Sequence, residues 1–361
     1  MPKLHIGNLV AQVPVVQGGM GVGISLSRLA AAVANQGGIG VIATAGIGLF
    51  ERNRDIDPKS ANVLALRREI KQARDASPKG IIGVNIMVAL SDFNDLVQCA
   101  VDEGIDILML GAGLPTRLPD TLPLDRLGDL STKFAPIVSS DRAARIIFRS
   151  WAKQYKHVPD AVVVEGPLAG GHLGFKKDNL HSPDFALENI VPGVIDVVRE
   201  FEERFNKKIP VIVGGGVFTG HDIKKFLDLG AQGVQMGTRF VTTTECDASD
   251  EFKQAHLSCT KEDIVIIDSP VGLPGRAIKN KFLEKREQGI RESFTCPWKC
   301  LRSCEFKKVH YCIAKALINA QCGDLEHGFA FAGANAYRTD KLLSVEELMN
   351  ALIKEYDEAC S

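Results

Sequence analysis

The sequence of 361 residues lacks a long hydrophobic run, an appreciable net charge and a secretory leader pattern. No apolar stretch approaches the roughly 18–20 residues that a membrane-spanning helix needs. Lysine plus arginine number 43 against 44 aspartate plus glutamate. This balance gives no electrostatic reason to expect nucleic acid or an anionic membrane as a partner. We therefore expect a soluble, cytoplasmic protein that acts on a small molecule, since the first residues also lack an apolar core before a cleavage site.

The sequence also lacks the P-loop motif GxxxxGK[ST], which excludes a P-loop nucleotidase. No internal repeat larger than a strand–helix unit and no low-complexity tract is present. What recurs is a short apolar run followed in most cases by a helix-like segment. Eight such runs lie at residues 14–17, 39–43, 81–87, 107–110, 135–139, 161–164, 210–213 and 233–236.

Eight strands that alternate with helices are typical of a (β/α)8 TIM barrel, an α/β fold. A doubly wound sheet shares this alternation and is the alternative. Small or polar residues follow nearly every run, and in a barrel these strand ends converge on one mouth where an active site forms. The barrel is therefore the predicted fold.

The pattern changes after the eighth run, which predicts three parts. Residues 1–244 would form the barrel. Residues 245–325 would form an inserted lid with a cysteine-rich segment. Residues 326–361 would pack back on the barrel through an amphipathic helix, which Ser344 and Glu347 are suited to cap.

The most informative stretch is EGPLAGGHLGF, residues 165–175, which follows the sixth run. It supplies the carboxylate Glu165, four glycines and the histidine His172. Glycines at this density let the backbone approach a ligand closely, and a histidine there can move a proton near neutral pH. A flexible loop with a solvated histidine is the alternative.

Glycines also end the seventh and eighth runs, at Gly214–Gly216 and at Gly237-Thr238. In barrels this position commonly binds phosphate through backbone N–H groups and a helix start. Tight turns alone would explain one such loop, whereas two on adjacent strands favour phosphate. Asn85, inside the apolar third run, needs hydrogen-bond partners if buried, as a structural residue or as a cofactor contact.

Four of the nine cysteines lie within seventeen residues: Cys296, Cys300, Cys304 and Cys312. In a reducing compartment such a cluster suggests a metal rather than disulfides. The x3 spacing suits a [4Fe–4S] cluster better than zinc, although it matches no ferredoxin spacing. Three thiols on one helix face that bind no metal are the remaining alternative.

The motifs PVVQGGM, VNIM, EGPLAGGHLG, VIVGGG and VQMGTRF occur in this order. Together with SPVGLPGRAIKNKF they resemble the nitronate monooxygenase (2-nitropropane dioxygenase) family, which includes FMN-dependent enoyl-ACP reductases. The resemblance covers about residues 13–282. It implies FMN at the mouth of a TIM-type barrel and His172 as the catalytic residue.

By match of motif, the resemblance implies that Gly19 and Met20 line the flavin, that Asn85 and Glu165 contact it, and that the glycine loops hold its phosphate. The full set of predicted cofactor residues is Gly19, Met20, Gly21, Asn85, Ser139, Glu165, Ala169, Gly170, Gly171, Gly214, Gly215, Gly216, Met236, Gly237 and Thr238.

Two activities follow from the resemblance: oxidation of a nitronate, and NAD(P)H-dependent reduction of an enoyl thioester. An iron–sulfur cluster that relays single electrons to FMN would fit a reductase better than an oxygen-using monooxygenase. A flavin and iron–sulfur electron-transfer or redox-sensing protein is an alternative of another class, and a flavin-free barrel that binds a sugar phosphate is a third. A redox partner protein and a homodimer are compatible with the sequence.

Overall fold

The computed structural model describes residues 1–50, 56–291, 294–296, 298–305 and 307–361. Its centre is a closed barrel of eight parallel strands in the order β3-β4-β5-β6-β7-β8-β10-β11. Each predicted run supplies one of these strands, so the predicted TIM barrel is confirmed. The strands are β1 (Leu4–Ile6), β2 (Leu9–Ala11), β3 (Val15–Gln17), β4 (Ile39–Ala43), β5 (Ile81–Met87), β6 (Ile107–Gly111), β7 (Lys133–Val138), β8 (Val162–Glu165), β9 (Gly171–His172), β10 (Val211–Gly214), β11 (Gly233–Met236), β12 (Ile264–Asp268) and β13 (Pro274–Ile278).

Helices surround the barrel and complete the C-terminal half of the chain. They are α1 (Ser27–Asn35), α2 (Pro58–Ala76), α3 (Phe93–Asp102), α4 (Asp141–Tyr155), α5 (Leu187–Phe205), α6 (Gly220–Asp228), α7 (Thr238–Val241), α8 (Asp250–Ser258), α9 (Lys281–Glu287), α10 (Ile313–Gln321) and α11 (Val345–Cys360). No helix in the described part of the chain is long and apolar enough to cross a membrane.

The apolar runs form strands because both of their faces are buried. Val41, Met109 and Val163 belong to a cluster that fills the barrel interior. The β1–β2 hairpin joins the same cluster through Leu4 and Ile6 and closes the end of the barrel opposite the mouth. Strand residues of the opposite parity pack against the helices in a second, larger core. The two-sided burial leaves the strand ends at the mouth as the place for polar residues.

Trp151 on α4 is fully buried in that larger core, and its Nε1 donates a 2.7 Å hydrogen bond to the carbonyl oxygen of Pro115. Its ring meets Phe134 edge-on at 5.8 Å. We expect Trp151→Ala to lower the free energy of unfolding by about 3–5 kcal/mol, because it leaves a cavity and an unpaired carbonyl. Urea denaturation measures this change. Lys153→Ala, at an exposed position of the same helix, should stay within about 0.5 kcal/mol of wild type. Equal effects of the two variants would contradict this account of the core.

The chain after the barrel adds a three-stranded sheet in the order β12-β13-β9. β12 and β13 form an antiparallel hairpin, and β13 pairs with β9 so that Gly275 lies opposite His172. The hairpin therefore fixes the backbone of the segment that follows β8.

Two helix starts illustrate local and long-range capping. The Ser344 and Glu347 pair forms the predicted capping box of α11, with Ser344 Oγ 3.1 Å from the Glu347 amide. At α1 the sequence favours Ser25 or Ser27 as the cap, and this is wrong. The Asp247 carboxylate accepts the N–H groups of Leu26 and Leu29 instead, at 2.8 and 3.3 Å.

Candidate active site at the barrel mouth

Polar side chains stand at the mouth where β8 and β11 end. Glu165 pairs in register with Gly214, and Gly214 pairs with Gln235. Since Val163 fills the barrel interior and side chains alternate along a strand, Glu165 points into the mouth. Burial in this narrow opening raises the pKa of Glu165 to about 7. Burial thus favours the protonated, uncharged form of this carboxyl group far more than in an exposed glutamate.

Gln235 faces the same mouth from β11. Its Oε1 is buried and has no hydrogen-bond partner in the described residues. A buried amide oxygen without a partner costs free energy, so this atom points to a ligand that donates to it. The absence of a side chain at Gly214 keeps the space between Glu165 and Gln235 open, because a Cβ there would lie 3.2 Å from the Gln235 Cβ.

The opposite wall of the mouth is built on Asn85. Its Nδ2 donates to the carbonyl oxygen of Met109 at 3.2 Å. Gly19 packs directly on this side chain, since a Cβ on Gly19 would lie 2.3 Å from the Asn85 Cβ. The Met20 amide donates to Ser25 Oγ at 2.8 Å, which fixes the loop after β3. Any larger residue at position 19 would displace the loop or Asn85.

The loop after β10 offers free backbone donors. Gly215 and Gly216 adopt φ values of +90° and +113°, which favour glycine. Their amides donate no hydrogen bond to the described residues. The start of α6, by contrast, is already satisfied, because Thr219 and Asp222 form a capping box and Glu355 accepts the Gly220 amide at 2.6 Å. The donors that remain available to a phosphate are therefore the glycine amides, not the amides at this helix start.

The segment before α11 closes the mouth on the side formed by the loops after β10 and β11. The Gly333 amide donates to Thr238 Oγ1 at 3.0 Å, and Asn335 Nδ2 donates to the carbonyl oxygen of Gly216 at 2.8 Å. Gly170 lies against the backbone of Ala332 and Gly333, where a Cβ would come within 2.7 Å. These contacts join three glycine-rich loops that are distant in sequence.

His172 is half-buried on β9 and contacts two other segments. Its Nε2 lies 2.7 Å from Ser269 Oγ, and its ring meets Phe331 edge-on at 5.0 Å. Burial lowers the pKa of His172 to about 4, so the imidazole is neutral at neutral pH. Ser269 Oγ also accepts the Val271 amide at 3.4 Å. If the serine hydroxyl donates its proton to Nε2, the imidazole proton lies on Nδ1.

Arg276 on β13 holds the loop that leads to His172. Its Nη1 donates to the carbonyl oxygens of Pro167 and Ala169 at 2.7 and 2.5 Å. The side chain is buried, and within the described residues it has no carboxylate partner. Burial lowers the pKa of Arg276 to about 10, which still leaves it charged at neutral pH. The charged guanidinium of Arg276 thus holds the loop between β8 and β9 in place.

The structure places the other predicted cofactor residues around the same opening. Gly237 lies beside Met20, where a Cβ would come within 3.4 Å of the Met20 sulfur, and Gly174 lies beside Ser139. Met236 differs, because its side chain is buried in the core shared with the helices while its carbonyl oxygen accepts the Gly18 amide at 2.9 Å. Of the remaining members, Gly21 lies in the loop after β3, Ala169 and Gly170 lie in the loop after β8, and Gly171 is the first residue of β9.

Sequence reasoning missed Gln235, Ser269, Arg276 and Phe331. The sequence signal that identified Asn85, a polar residue inside an apolar run, is also present at Gln235. The other three carry no local signal, since they reach the mouth through β12, β13 and the segment before α11.

The cysteine-rich segment lies against the loop that follows β5. Leu301 forms a bridge with Leu90, and the Ser91 amide donates to the carbonyl oxygen of Cys300 at 3.1 Å. Because β5 carries Asn85, the segment borders the mouth. Residues 296, 300 and 304 are not helical, so the alternative of three thiols on one helix face is wrong. Residues 297 and 306 lie outside the described part.

The four thiols influence one another. Burial is the main reason that the pKa of Cys300 rises to about 11, and Cys312, Cys296 and Cys304 raise it further. In the described residues, however, no three Cys, His, Asp or Glu side chains are arranged so as to hold a metal ion. The segment thus brings the thiols together without a preformed coordination shell.

A column of aromatic rings connects this segment to His172. Tyr311, next to Cys312, meets Phe329 at 6.2 Å between ring centroids. Phe329 meets Phe331 at 5.0 Å, and Phe331 meets His172 at 5.0 Å. The cysteines and the histidine therefore share one packed unit.

Residues 3–355 match the family described as nitronate monooxygenase. The chain belongs to this family. Within it, a carboxyl-CoA dehydrogenase of Mycobacterium tuberculosis, named for the substrate (3aS,4S,5R,7aS)-5-hydroxy-7a-methyl-1-oxo-octahydro-1H-indene-4-carboxyl-CoA, is 30% identical over 278 residues, which cover 77% of this chain and 66% of that relative. A probable nitronate monooxygenase of Staphylococcus aureus is 27% identical, over 78% of this chain and 79% of the relative.

Two solved structures are similar over nearly the whole chain. FabK from Thermotoga maritima is 27% identical with a TM-score of 0.73, covering 97% of this chain and 94% of that one. Nitroalkane oxidase from Streptomyces ansochromogenes also gives a TM-score of 0.73 at 22% identity, covering 97% of each chain, which supports the fold alone. The predicted family is confirmed, and the protein is an FMN-dependent oxidoreductase of the nitronate monooxygenase family.

The residues at the mouth fit FMN. The free amides of Gly215 and Gly216 suit its phosphate, and the unpartnered Oε1 of Gln235 suits a ring N–H donor. Asn85 and Glu165 add polar groups on opposite walls. The donor set thus matches a phosphate at one end and a polar ring at the other.

Proposed function

We propose that this protein is a reductase of α,β-unsaturated acyl thioesters that uses FMN and a nicotinamide nucleotide. The observation that carries the proposal is the neutral His172 imidazole, whose Nε2 lies 2.7 Å from Ser269 Oγ and whose Nδ1 is therefore the atom left to act as an N–H donor. A base with a pKa near 4 is weak for removing a proton from carbon, whereas a neutral N–H donor suits a carbonyl oxygen that gains negative charge.

In this proposal each residue at the mouth has a separate role. FMN, when bound, supplies the hydride chemistry. Nδ1–H of His172 would hydrogen-bond the thioester oxygen and polarise the conjugated double bond. Glu165, whose pKa is raised by burial, can hold a proton at the mouth. Arg276 and Ser269 keep the histidine loop in place.

The relatives support a thioester substrate. A 30% identical relative is named as a dehydrogenase of a CoA ester, and FabK, an enoyl-ACP reductase, covers 97% of this chain. Oxidation of nitronates is the second candidate function. It is favoured by the Staphylococcus aureus relatives, which are named probable nitronate monooxygenases.

Parallel assays of the purified holoenzyme separate the two candidates. We expect steady-state oxidation of NADH or NADPH under anaerobic conditions when a short-chain enoyl thioester is present. With an alkyl nitronate in air we expect a specificity constant at least about 100-fold lower, because a neutral His172 with a low pKa is a weak base. Faster turnover of the nitronate would reverse the assignment. Stoichiometric flavin reduction without turnover of either substrate would indicate an electron-transfer or sensing protein.

We also propose that Cys296, Cys300, Cys304 and Cys312 would hold a [4Fe–4S] cluster, which would supply one-electron redox chemistry close to the mouth. Three observations support this proposal. The four cysteines share one short segment, that segment borders the loop after β5, and the aromatic column leads from Tyr311 to His172. Cys312 also stands at the N-cap position of α10, where the helix dipole favours a negative charge. A redox partner protein would supply the electrons.

A further inference from the structure

A groove opens beside the His172–Ser269 pair and is not used by the mechanism above. It has a volume of about 570 Å³ and runs between two walls, residues 174–177 on one side and the β12–β13 turn on the other. The Leu173 amide donates to the carbonyl oxygen of Pro274 at 2.9 Å and joins the walls at one end. The groove is therefore part of the framework that positions His172.

Ser269 links the groove to the reacting centre. It lines the groove, and its Oγ is 2.7 Å from His172 Nε2. A substrate whose carbonyl reaches His172 can therefore extend its remaining atoms past Ser269 into the groove. The atoms next to a thioester carbonyl are those of the acyl chain and of the sulfur-linked carrier arm.

The lining combines apolar surface with cations at the rim. Phe175, Leu273 and Pro274 supply apolar contacts, and Lys176 and Lys177 supply charge. Lys177 is paired with Asp268, with Nζ–carboxylate distances of 3.2 and 3.0 Å. The side chain of Lys176 is exposed and its ammonium group makes no ion pair or hydrogen bond with the described residues. One uncompensated cation at the end of a largely apolar groove suits a long uncharged arm that ends in an anion.

We propose that this groove binds the phosphopantetheine arm of the thioester, with Lys176 at the phosphate. The inference rests on the proposed thioester reaction. The shared chemistry is that of CoA and of an acyl carrier protein, which both present a phosphate at the end of pantetheine. The phosphate gives Lys176 its partner, and the arm follows the apolar wall to Ser269.

Binding of two small probes tests the groove without turnover. Isothermal titration of the holoenzyme compares 4′-phosphopantetheine with pantetheine, which lacks only the phosphate. We expect the phosphorylated probe to bind about three- to tenfold more tightly, as one exposed charge pair allows. Lys176→Glu should remove this preference, and Lys176→Gln should reduce it. Lys281→Glu reverses the charge of another exposed lysine outside the groove and should leave the preference unchanged.

Several outcomes would overturn the proposal. These are equal affinities of wild type for the two probes, a preference that survives Lys176→Glu, and a preference that Lys281→Glu also removes. If the preference follows Lys176 while no enoyl thioester is reduced, the groove is supported and the proposed reaction fails. If thioesters are reduced but wild type binds the two probes equally, the proposed reaction is supported and the groove proposal fails. CoA and a phosphopantetheinylated carrier protein, titrated next, distinguish the two sources of the arm.

Discussion

His172→Ala is expected to retain FMN while turnover of an enoyl thioester falls by roughly 10²–10⁴, the usual range for a proton-transfer or polarising group. FMN retention is expected because the predicted phosphate contacts lie on Gly215, Gly216 and the segment before α11, whereas His172 packs on Ser269 and Phe331. Flavin absorbance of the purified variant measures retention, and anaerobic oxidation of the nicotinamide nucleotide measures turnover.

Two controls separate the role of the imidazole from that of its surroundings. His181→Ala removes an exposed histidine from a nearby loop and should leave turnover unchanged. Ser269→Ala keeps the imidazole but removes the hydroxyl that contacts its Nε2, so we expect a smaller loss of about tenfold. Wild-type turnover in His172→Ala would refute the assigned role. Loss of flavin from that variant would instead place His172 in cofactor binding.

Cys300→Ser is expected to abolish metal binding at the cysteine-rich segment. Wild type purified without oxygen should carry about four irons and four sulfides per chain with a broad absorbance near roughly 400 nm. Cys300 is one of the four proposed ligands, and its carbonyl oxygen joins the segment to the loop after β5 by accepting the Ser91 amide. Iron and sulfide assays with the visible spectrum measure the result.

The matched control for this prediction is Cys322→Ser, at an exposed cysteine outside the set that lies at the end of α10. It should keep wild-type iron and flavin. Zinc in place of iron would replace the electron-relay proposal with a structural site. Wild-type protein that binds neither metal after anaerobic reconstitution would refute the proposed metal site, leaving four neighbouring thiols.

The barrel could be predicted because its signals are local. Each strand is a short apolar run buried on both faces, and each strand end carries a glycine or a polar residue such as Asn85 or Glu165. Burial and periodicity act within a few residues, so the sequence displays them directly. The capping box of α11 was predictable for the same reason.

The rest of the site depends on contacts between distant residues. Ser269 lies 97 residues from His172 in sequence, and Arg276 lies 109 residues from Pro167. Glu355, which lies 135 residues from Gly220 in sequence, accepts the Gly220 amide at the start of α6. The glycine amides are therefore the donors that remain for a phosphate. Such pairs follow from how β12, β13 and α11 pack on the barrel, and tertiary packing of this kind leaves no pattern within a short window.

The short stretch from Phe331 to Asn335 touches both functional ends of the mouth. Phe331 meets His172, while Gly333 and Asn335 bind the loops after β11 and β10. During synthesis these contacts form after the eight barrel strands have left the ribosome, since the stretch follows β11 by almost one hundred residues. A nascent chain that ends before this stretch lacks the contacts that complete the mouth, even when all eight strands are present. We therefore expect such a truncated chain to bind the cofactor more weakly than the full chain.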